Sequence, residues 1–518
     1  MTNVRDSVID FLRQTGMTVM FGNPGSTELP LYRDWPEDFR YVLGLQESAV
    51  LSIADGYAQG TGKAAIVNLH SAAGLGHAMG SLVTAYKNQT PLIVTAGQQA
   101  RSLLLAEPFL GAVDATEMPK PYVKWACEPA RAEDVPKVLA RAYAIAMTAP
   151  RGPVFVSLPV DDWEAPCELV SPLAIHGAPE PGPGAIKEAA RKIAASKKPV
   201  MVAGPEIDRC GGWAAAVAFA EKLACPVWAS PMSPRCSFPE SHAQFAGFLR
   251  ADETSVAEAL SDHDLAIVIG GPAFTYHFEQ PMAGGFDKDI LQITNDPNTA
   301  SYTQRGTAII GDVAAAMEKL TEMSEARAAF PGTARPAAEP PSESELTSVL
   351  AVSILQEMRP ANALIAEEAP SARGDVQNRL RIDKPESFFA TASGGLGFAG
   401  SAAVGLALAK PDRRVIALLG DGSSLYTIQA LWSAAQECAP VTYVILSNGG
   451  YEALKGIARR WQTPSVGTDL PDLDFIALAK GFGMPACRAQ SAADLREALD
   501  KTFALPGPSL VDVVVSDG

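Results

Sequence analysis

The feature that most constrains this chain is a rhythm of short apolar runs, each closed by a turn and followed by helix-compatible sequence. In the first part the runs end at Val19-Met20-Phe21, Tyr41-Val42-Leu43-Gly44-Leu45, Ala64 to Leu69 and Pro91-Leu92-Ile93-Val94. The last part repeats the pattern at Val415 to Leu419 and Val441 to Leu446. Strands this short, alternating with helical segments, read as βαβ units. They predict an α/β chain of doubly wound domains with parallel sheets. Parallel strands joined by right-handed crossovers place whatever follows each strand on one carboxyl rim, where such sheets bind ligands. Two Pro-rich stretches, HGAPEPGPGAIKE at 176–188 and FPGTARPAAEPPSESE at 330–345, break the rhythm and read as linkers. They divide the 518 residues into domains at 1–180, 181–341 and 342–518, as a chain of this length requires.

Composition narrows the function classes. The net charge is −16, from 42 basic and 58 acidic residues without a Lys/Arg cluster, so nucleic acid is not the expected partner. Hydrophobic residues make up 47% of the chain, yet no run reaches the roughly 18 apolar residues of a membrane span. The N-terminus, MTNVRDSVIDFLRQ, has amphipathic helical spacing and no secretion-signal pattern, which sets a cytoplasmic expectation. Seven cysteines without a CxxC pair read as reduced thiols, and no zinc site is expected.

Three polar sites fall on the rim of the first part. They are the turn Gly22-Asn23-Pro24-Gly25-Ser26-Thr27-Glu28, the pair Gln46-Glu47, and His70-Ser71. Each alone has an ordinary explanation: a Glu at a helix start answers the helix dipole, a lone His at a strand end is structural, and a Ser shapes a turn. Together, a hydroxyl, a carboxylate and an imidazole on one rim suffice for proton transfer.

In the last part the stretch GDGSSLYTIQALWSAAQECAPVTYVILSNGG, residues 420–450, carries Asp421 between two glycines and Asn448 after the next strand. A helix of about 14 residues runs about 21 Å out, and about seven strand residues return about 23 Å. Asp421 and Asn448 therefore meet on one edge beside a helix N-terminus that favours an anion. Oxygen ligands beside a phosphate suit Mg²⁺, and the glycines admit a diphosphate. A competing pattern lies just upstream, where Gly395-Leu396-Gly397-Phe398-Ala399-Gly400 matches GxGxxG with Asp421 twenty-one residues further on. On local pattern alone an NAD-dependent oxidoreductase is thus the second expectation, although it explains neither Asn448 nor Ser26, Glu47 and His70.

Paired with a Glu in the first part, the Gly420-Asp421-Gly422 to Asn448 element resembles the signature of the thiamine diphosphate-dependent enzymes. GNPGSTELP at 22–30, GLQES at 44–48, NLHSAAG at 68–74, PLIVTAGQQ at 91–99, GGLGFA at 394–399 and GDGS at 420–423 resemble the benzoylformate decarboxylases along the whole chain. The resemblance implies a pyrimidine-binding domain, a Rossmann-like middle domain and a diphosphate-binding domain, with thiamine diphosphate and Mg²⁺ (or Ca²⁺) as cofactors. It implies non-oxidative decarboxylation of a 2-oxo acid, closest to benzoylformate giving benzaldehyde and carbon dioxide. It also implies a cytoplasmic homotetramer, a dimer of dimers with active sites at the dimer interface.

By the same resemblance Glu47 is the carboxylate that engages the aminopyrimidine ring, otherwise unpaired in an apolar setting. Leu396 is the apolar wedge that bends the cofactor, and Gly395, Ser371, Gly422, Ser423 and Tyr451 surround it. Asp421, Asn448 and the carbonyl of Gly450 are the metal ligands. His70 is the proton donor to the forming alkoxide, Ser26 engages the substrate carboxylate, and His277 delivers a proton after decarboxylation. His176, His242 and His263 are left as surface residues. The substrate pocket is expected from Phe109, Leu110, Ala390, Ile457 and His77. Several positions depart from the family pattern: Pro370 replaces a hydroxyl residue, leaving Ser371; Ile457 and Ala390 replace aromatic rings, with Phe109 refilling part of the space; and His77 replaces an amide. These departures leave open another aryl or branched 2-oxo acid, a related carboligase or acetohydroxyacid synthase-like enzyme, or a catalytically silent scaffold.

Overall fold

The computed structural model describes residues 2–516 apart from 176, 273, 274, 278–287, 304, 329–331, 333, 334, 336 and 337. The chain gathers into two compact units, one of residues 1–175, 341–376 and 393–518, the other of residues 176–340 and 377–392.

The first unit contains two parallel sheets. One runs in the order Arg40–Leu43, Val19–Gly22, Ala65–Leu69, Leu92–Gln98, Val154–Pro159, Ala126–Cys127. The other runs through Leu364–Glu368, Val415–Gly420, Val441–Ser447, Ser509–Val514 and Ala486–Ala489. Their central strands are buried along their whole length, which is why they read as continuous apolar runs rather than alternating ones. In the first sheet the chain passes from Val19–Gly22 to one neighbour and then crosses to Ala65–Leu69 on the other side. This reversal opens a crevice beyond the ends of those two strands, so the loops after Gly22 and Leu69 carry Ser26, Glu28 and His70 to one place.

Helix Glu47–Thr61 starts where the Gln46 side chain accepts from the backbone N–H of Ser48 (2.7 Å) and Ala49 (3.2 Å), and it stops at Gly62 in the left-handed region. It crosses helix Ala399–Ala409 at backbone distance. A Cβ on Gly56 would overlap the carbonyl of Ala402, one on Gly405 would overlap the carbonyl of Ile53, and one on Gly60 would lie 2.7 Å from the Ala409 methyl. Only glycine permits this approach, and it joins the first and last parts of the chain in one core.

The expected single helix after Asp421 is instead three short pieces: a turn of α-helix at Asp421–Ser424, a 3₁₀ turn at Leu425–Thr427, and helix Ala430–Gln436. Hydroxyl groups compete with the helical ladder here. Ser424 Oγ donates to the carbonyl of Asp421 (2.7 Å), and Thr427 Oγ1 donates to that of Gly397 (3.0 Å). The crossover still returns to its level, with Gly420 paired to Leu446.

The second unit is built on the parallel sheet Phe245–Phe248, Val227–Ala229, Pro199–Ala203, Leu265–Ile269, Asp289–Thr294, Thr307–Ile310. Leu265, Ile267 and Ile269 pack on one side with Phe219 and Leu320, whereas Ala266 and Val268 pack on the other with Val256 and Leu260. Here His242 and His263 are half-buried rather than fully on the surface. His242 stands edge-on to Phe238, and the His263 ring takes the Lys198 carbonyl at 3.2 Å while burial pushes its pKa down. His176 lies outside the described residues.

Candidate functional site

At the first crevice the structure pairs His70 with Glu28. His70 Nδ1 lies 2.9 Å from Glu28 Oε2 and 3.2 Å from Thr27 Oγ1. The Glu28 carboxylate is buried and filled: it accepts from the N–H of Gly25 (2.9 Å), the N–H of Gly97 (3.0 Å) and the Thr27 hydroxyl (2.6 Å). With Glu28 Oε2 accepting, the proton of this contact sits on Nδ1 and Nε2 is left outside the pair. A side chain on Gly25 would overlap the His70 ring, so that glycine is what lets the imidazole lie against the turn. Ser26 is exposed in the same turn. The next residue after His70, Ser71, is buried at a φ of 49°, and its hydroxyl has no hydrogen-bond partner among the described residues. Sequence reasoning placed Glu28 in the turn but missed its role; a carboxylate two positions after the expected hydroxyl was the available signal.

Glu47 is buried at the start of its helix, and it is not unpaired. His77 Nδ1 lies 3.0 Å from its Oε2, and Asn23 Nδ2 reaches its Oε1 at 3.4 Å. His77, expected in the substrate pocket, is therefore a partner of Glu47.

The second rim is built from backbone. Asp421 Oδ1 accepts from the N–H of Gly422 (2.6 Å), and Oδ2 accepts from Asn448 (3.0 Å), Gly449 (2.7 Å) and Gly450 (3.2 Å). Asn448 Oδ1 accepts from Gly450 (3.2 Å), and the Gly450 carbonyl accepts from Glu452 (3.0 Å). The three expected metal ligands are thus brought together. Asp421 and Asn448 line a cavity of about 350 Å³ with Ser371, Ala369, Gly420 and Thr347. Ser371 is held there by its Oγ accepting from Ala453 N–H (3.1 Å). A Cβ on Gly422 would strike the Tyr451 ring, so glycine allows the tyrosine to close over the turn, and burial pushes its phenol pKa up. Ser423 is buried beside it.

Around Leu396 the GxGxxG turn is already occupied. The buried Glu368 carboxylate accepts from the N–H groups of Gly397 (2.5 Å), Phe398 (2.7 Å) and Ala399 (2.7 Å). These are the donors a dinucleotide pyrophosphate would need at this helix start, so the nicotinamide reading fails. Burial raises the Glu368 pKa to about 7, and the three N–H groups hold it from going higher. Gly397 sits at a φ of 100°, Leu396 is half-buried, and Gly395 donates to Ser393 Oγ (2.9 Å).

Phe109 and Leu110 lie exposed on a loop, Ile457 is half-buried on helix Glu452–Trp461, and Ala390 is buried in the other unit. His277 is also in the other unit, exposed, with its N–H donated to the Ala251 carbonyl (2.8 Å).

Comparison with known proteins shows the family to which the chain belongs. Residues 2–118 match the N-terminal TPP binding domain of thiamine pyrophosphate enzymes, residues 186–320 their central domain, and residues 371–513 their C-terminal TPP binding domain. A benzoylformate decarboxylase of Pseudomonas aeruginosa is 41% identical over 524 residues, 99% of each chain. The chain belongs to the thiamine pyrophosphate enzymes. Solved structures of this family superpose along its full length. A benzoylformate decarboxylase from Polynucleobacter necessarius is 40% identical with a TM-score of 0.97, covering 100% of this chain and 99% of that one. A 4-hydroxybenzoylformate decarboxylase from Rhodococcus jostii is 38% identical with a TM-score of 0.96, covering 100% of both. An acetolactate synthase large subunit of Parasynechococcus marenigrum is more distant, at 27% identity over 99% of this chain and 87% of its own. As a thiamine pyrophosphate enzyme the chain takes thiamine diphosphate, and its residues fit that cofactor. The cavity beside Asp421 and Asn448 is lined by side-chain oxygens of the kind a cation-bound diphosphate would need, and Glu47 offers a buried carboxylate at the first rim.

Proposed function

We propose that the chain is a thiamine diphosphate- and Mg²⁺-dependent decarboxylase of an aryl 2-oxo acid of the benzoylformate type. One proton is consumed, and one aldehyde and one carbon dioxide are released per turnover. The observation that carries this reading is the pairing of buried Glu28 with half-buried His70. It fixes an imidazole with a defined free nitrogen in the crevice, as proton delivery to a developing alkoxide demands. The cofactor, when bound, supplies the carbon nucleophile and accepts the electron pair left by carbon dioxide. The residues of the chain do the rest. Glu47 takes the ring nitrogen, Leu396 backs the cofactor with Gly395, and Ser371, Gly422, Ser423 and Tyr451 hold the diphosphate. Asp421, Asn448 and the Gly450 carbonyl hold Mg²⁺ through hard oxygen ligands. His70 would give a proton to the developing alkoxide and take it back as the aldehyde forms, Ser26 would bind the carboxylate, and His277 would supply the one proton consumed. Ile457 and Ala390 make the ring end roomier than an aromatic-lined pocket, with Phe109 and Leu110 closing it, so ring-substituted substrates are accepted.

The active form on this reading is a cytoplasmic homotetramer of three-domain chains divided at 180/181 and 341/342. Leu105, Phe109 and Val113, at 98%, 87% and 71% exposure, and the exposed Trp461 and Val466 are large apolar side chains that contact with a second copy would cover. A monomer mass in solution would overturn the assembly. No described helix is long and apolar enough to cross a membrane. The decisive experiment supplies thiamine diphosphate, Mg²⁺ and a panel of aryl and branched 2-oxo acids. Carbon dioxide release is expected, fastest with benzoylformate or its ring-substituted analogues, and no release from any member overturns the reading.

A further inference from the structure

We infer that His77 is a positioning residue for the cofactor-activating carboxylate, fixing which oxygen of Glu47 faces the cofactor ring. The inference rests on the role proposed for Glu47. His77 lies on helix Ser71–Lys87, and Glu47 opens helix Glu47–Thr61. A ladder of hydroxyls locks the register of these two helices. Ser48 Oγ donates to the carbonyl of His77, Ser81 Oγ donates to the carbonyl of Ser48 (2.9 Å), and Ser52 Oγ donates to Ser81 Oγ (2.9 Å). The backbone of His77 is therefore tied to the residue next to Glu47, which brings its exposed imidazole within reach of the carboxylate. Its Nδ1 stands 3.0 Å from Oε2. Among the described residues Oε1 has only the long contact to Asn23 at 3.4 Å.

The two oxygens of Glu47 are therefore unequal. Oε2 is engaged by a nitrogen held on a helix, and Oε1 is the one left to accept from a ring N–H. A carboxylate free to rotate about its last bond would present either oxygen and lose alignment with its partner. An amide at position 77 can still donate one hydrogen bond, whereas an aliphatic residue cannot.

The test uses full-length holoenzyme and three substitutions, His77→Leu, His77→Asn and Glu47→Gln. Deuterium exchange at C2 of the bound cofactor is followed by quenched-flow NMR, and thiamine diphosphate affinity by tryptophan fluorescence of the apoenzyme in Mg²⁺. His77→Leu is expected to slow exchange and kcat together by roughly tenfold to a hundredfold, the range for a lost hydrogen bond to a charged group. KM for the 2-oxo acid should change little and cofactor affinity by a smaller factor. His77→Asn should recover most of the exchange rate. Exchange unchanged in His77→Leu, or equally slow in His77→Asn and His77→Leu, overturns the inference. Glu47→Gln separates the two levels. If exchange survives Glu47→Gln, the role of Glu47 falls; if it collapses there but not in His77→Leu, only the role of His77 falls.

Discussion

The two cofactor rims of the first unit solve the same problem with different materials. At the first, side chains hold side chains: Glu28 holds His70, and His77 holds Glu47. At the second, side chains hold backbone: Asp421 gathers four N–H groups, and Glu368 gathers three. The first arrangement has nitrogens and oxygens that can move protons. The second has a fixed shape and presents oxygens, which suits a cation and a diphosphate that react little. Substitutions should therefore change rates at one rim and affinity or stability at the other.

The largest test of that contrast is Glu28→Gln. The amide keeps the size of the carboxylate but sets an NH₂ group among N–H and O–H donors, so His70 loses its fixed tautomer. We expect kcat to fall about a hundredfold, with cofactor affinity nearly unchanged. Steady-state rates and a fluorescence titration check this, and a loss of affinity matching the loss of rate would erase the distinction between the rims.

Gly422→Ala should do the reverse. Its methyl meets the Tyr451 ring, and overpacking of about 1–3 kcal/mol corresponds to a loss of roughly tenfold to a hundredfold in thiamine diphosphate affinity. At saturating cofactor kcat should stay close to that of the parent. Adding Tyr451→Leu should restore part of the affinity, and no recovery in the double variant would remove the ring as the cause.

The smallest effect concerns stability. The folded pKa of Glu368 is about 7 against an ordinary 4.5, so folding favours its neutral form. A raised acid contributes stability fully below about 4.5, and that contribution is lost as the pH climbs through about 7. Glu368→Gln removes this titration, and the denaturant midpoint of the variant should vary less between pH 4.5 and 7 than that of the parent. Equal slopes would show that the carboxyl titrates normally.

The sheets were legible because buried parallel strands write themselves as apolar runs, and the meeting of Asp421 with Asn448 was expected from helix and strand lengths although the crossover is three short pieces. Pairings across the crevice were not. His70 and Glu28 are 42 positions apart, and no periodicity states which of several rim groups touch. Glu368 was hidden for a related reason: its partners are N–H groups, which have no sequence identity. The fragmented crossover after Asp421 was missed because Ser424 and Thr427 are acceptable helix residues until a carbonyl such as that of Gly397 is near enough to compete.

The glycine crossing of helix Glu47–Thr61 with helix Ala399–Ala409 has a temporal side. The face presented by Gly56 and Gly60 finds its partner only after roughly 350 further residues have been synthesised. At about 5–20 residues per second the wait lasts tens of seconds. The N-terminal sheet therefore leaves the ribosome with one flank bare, and the synthesis of helix Ala399–Ala409, rather than local folding, sets when Glu47 acquires its final seat.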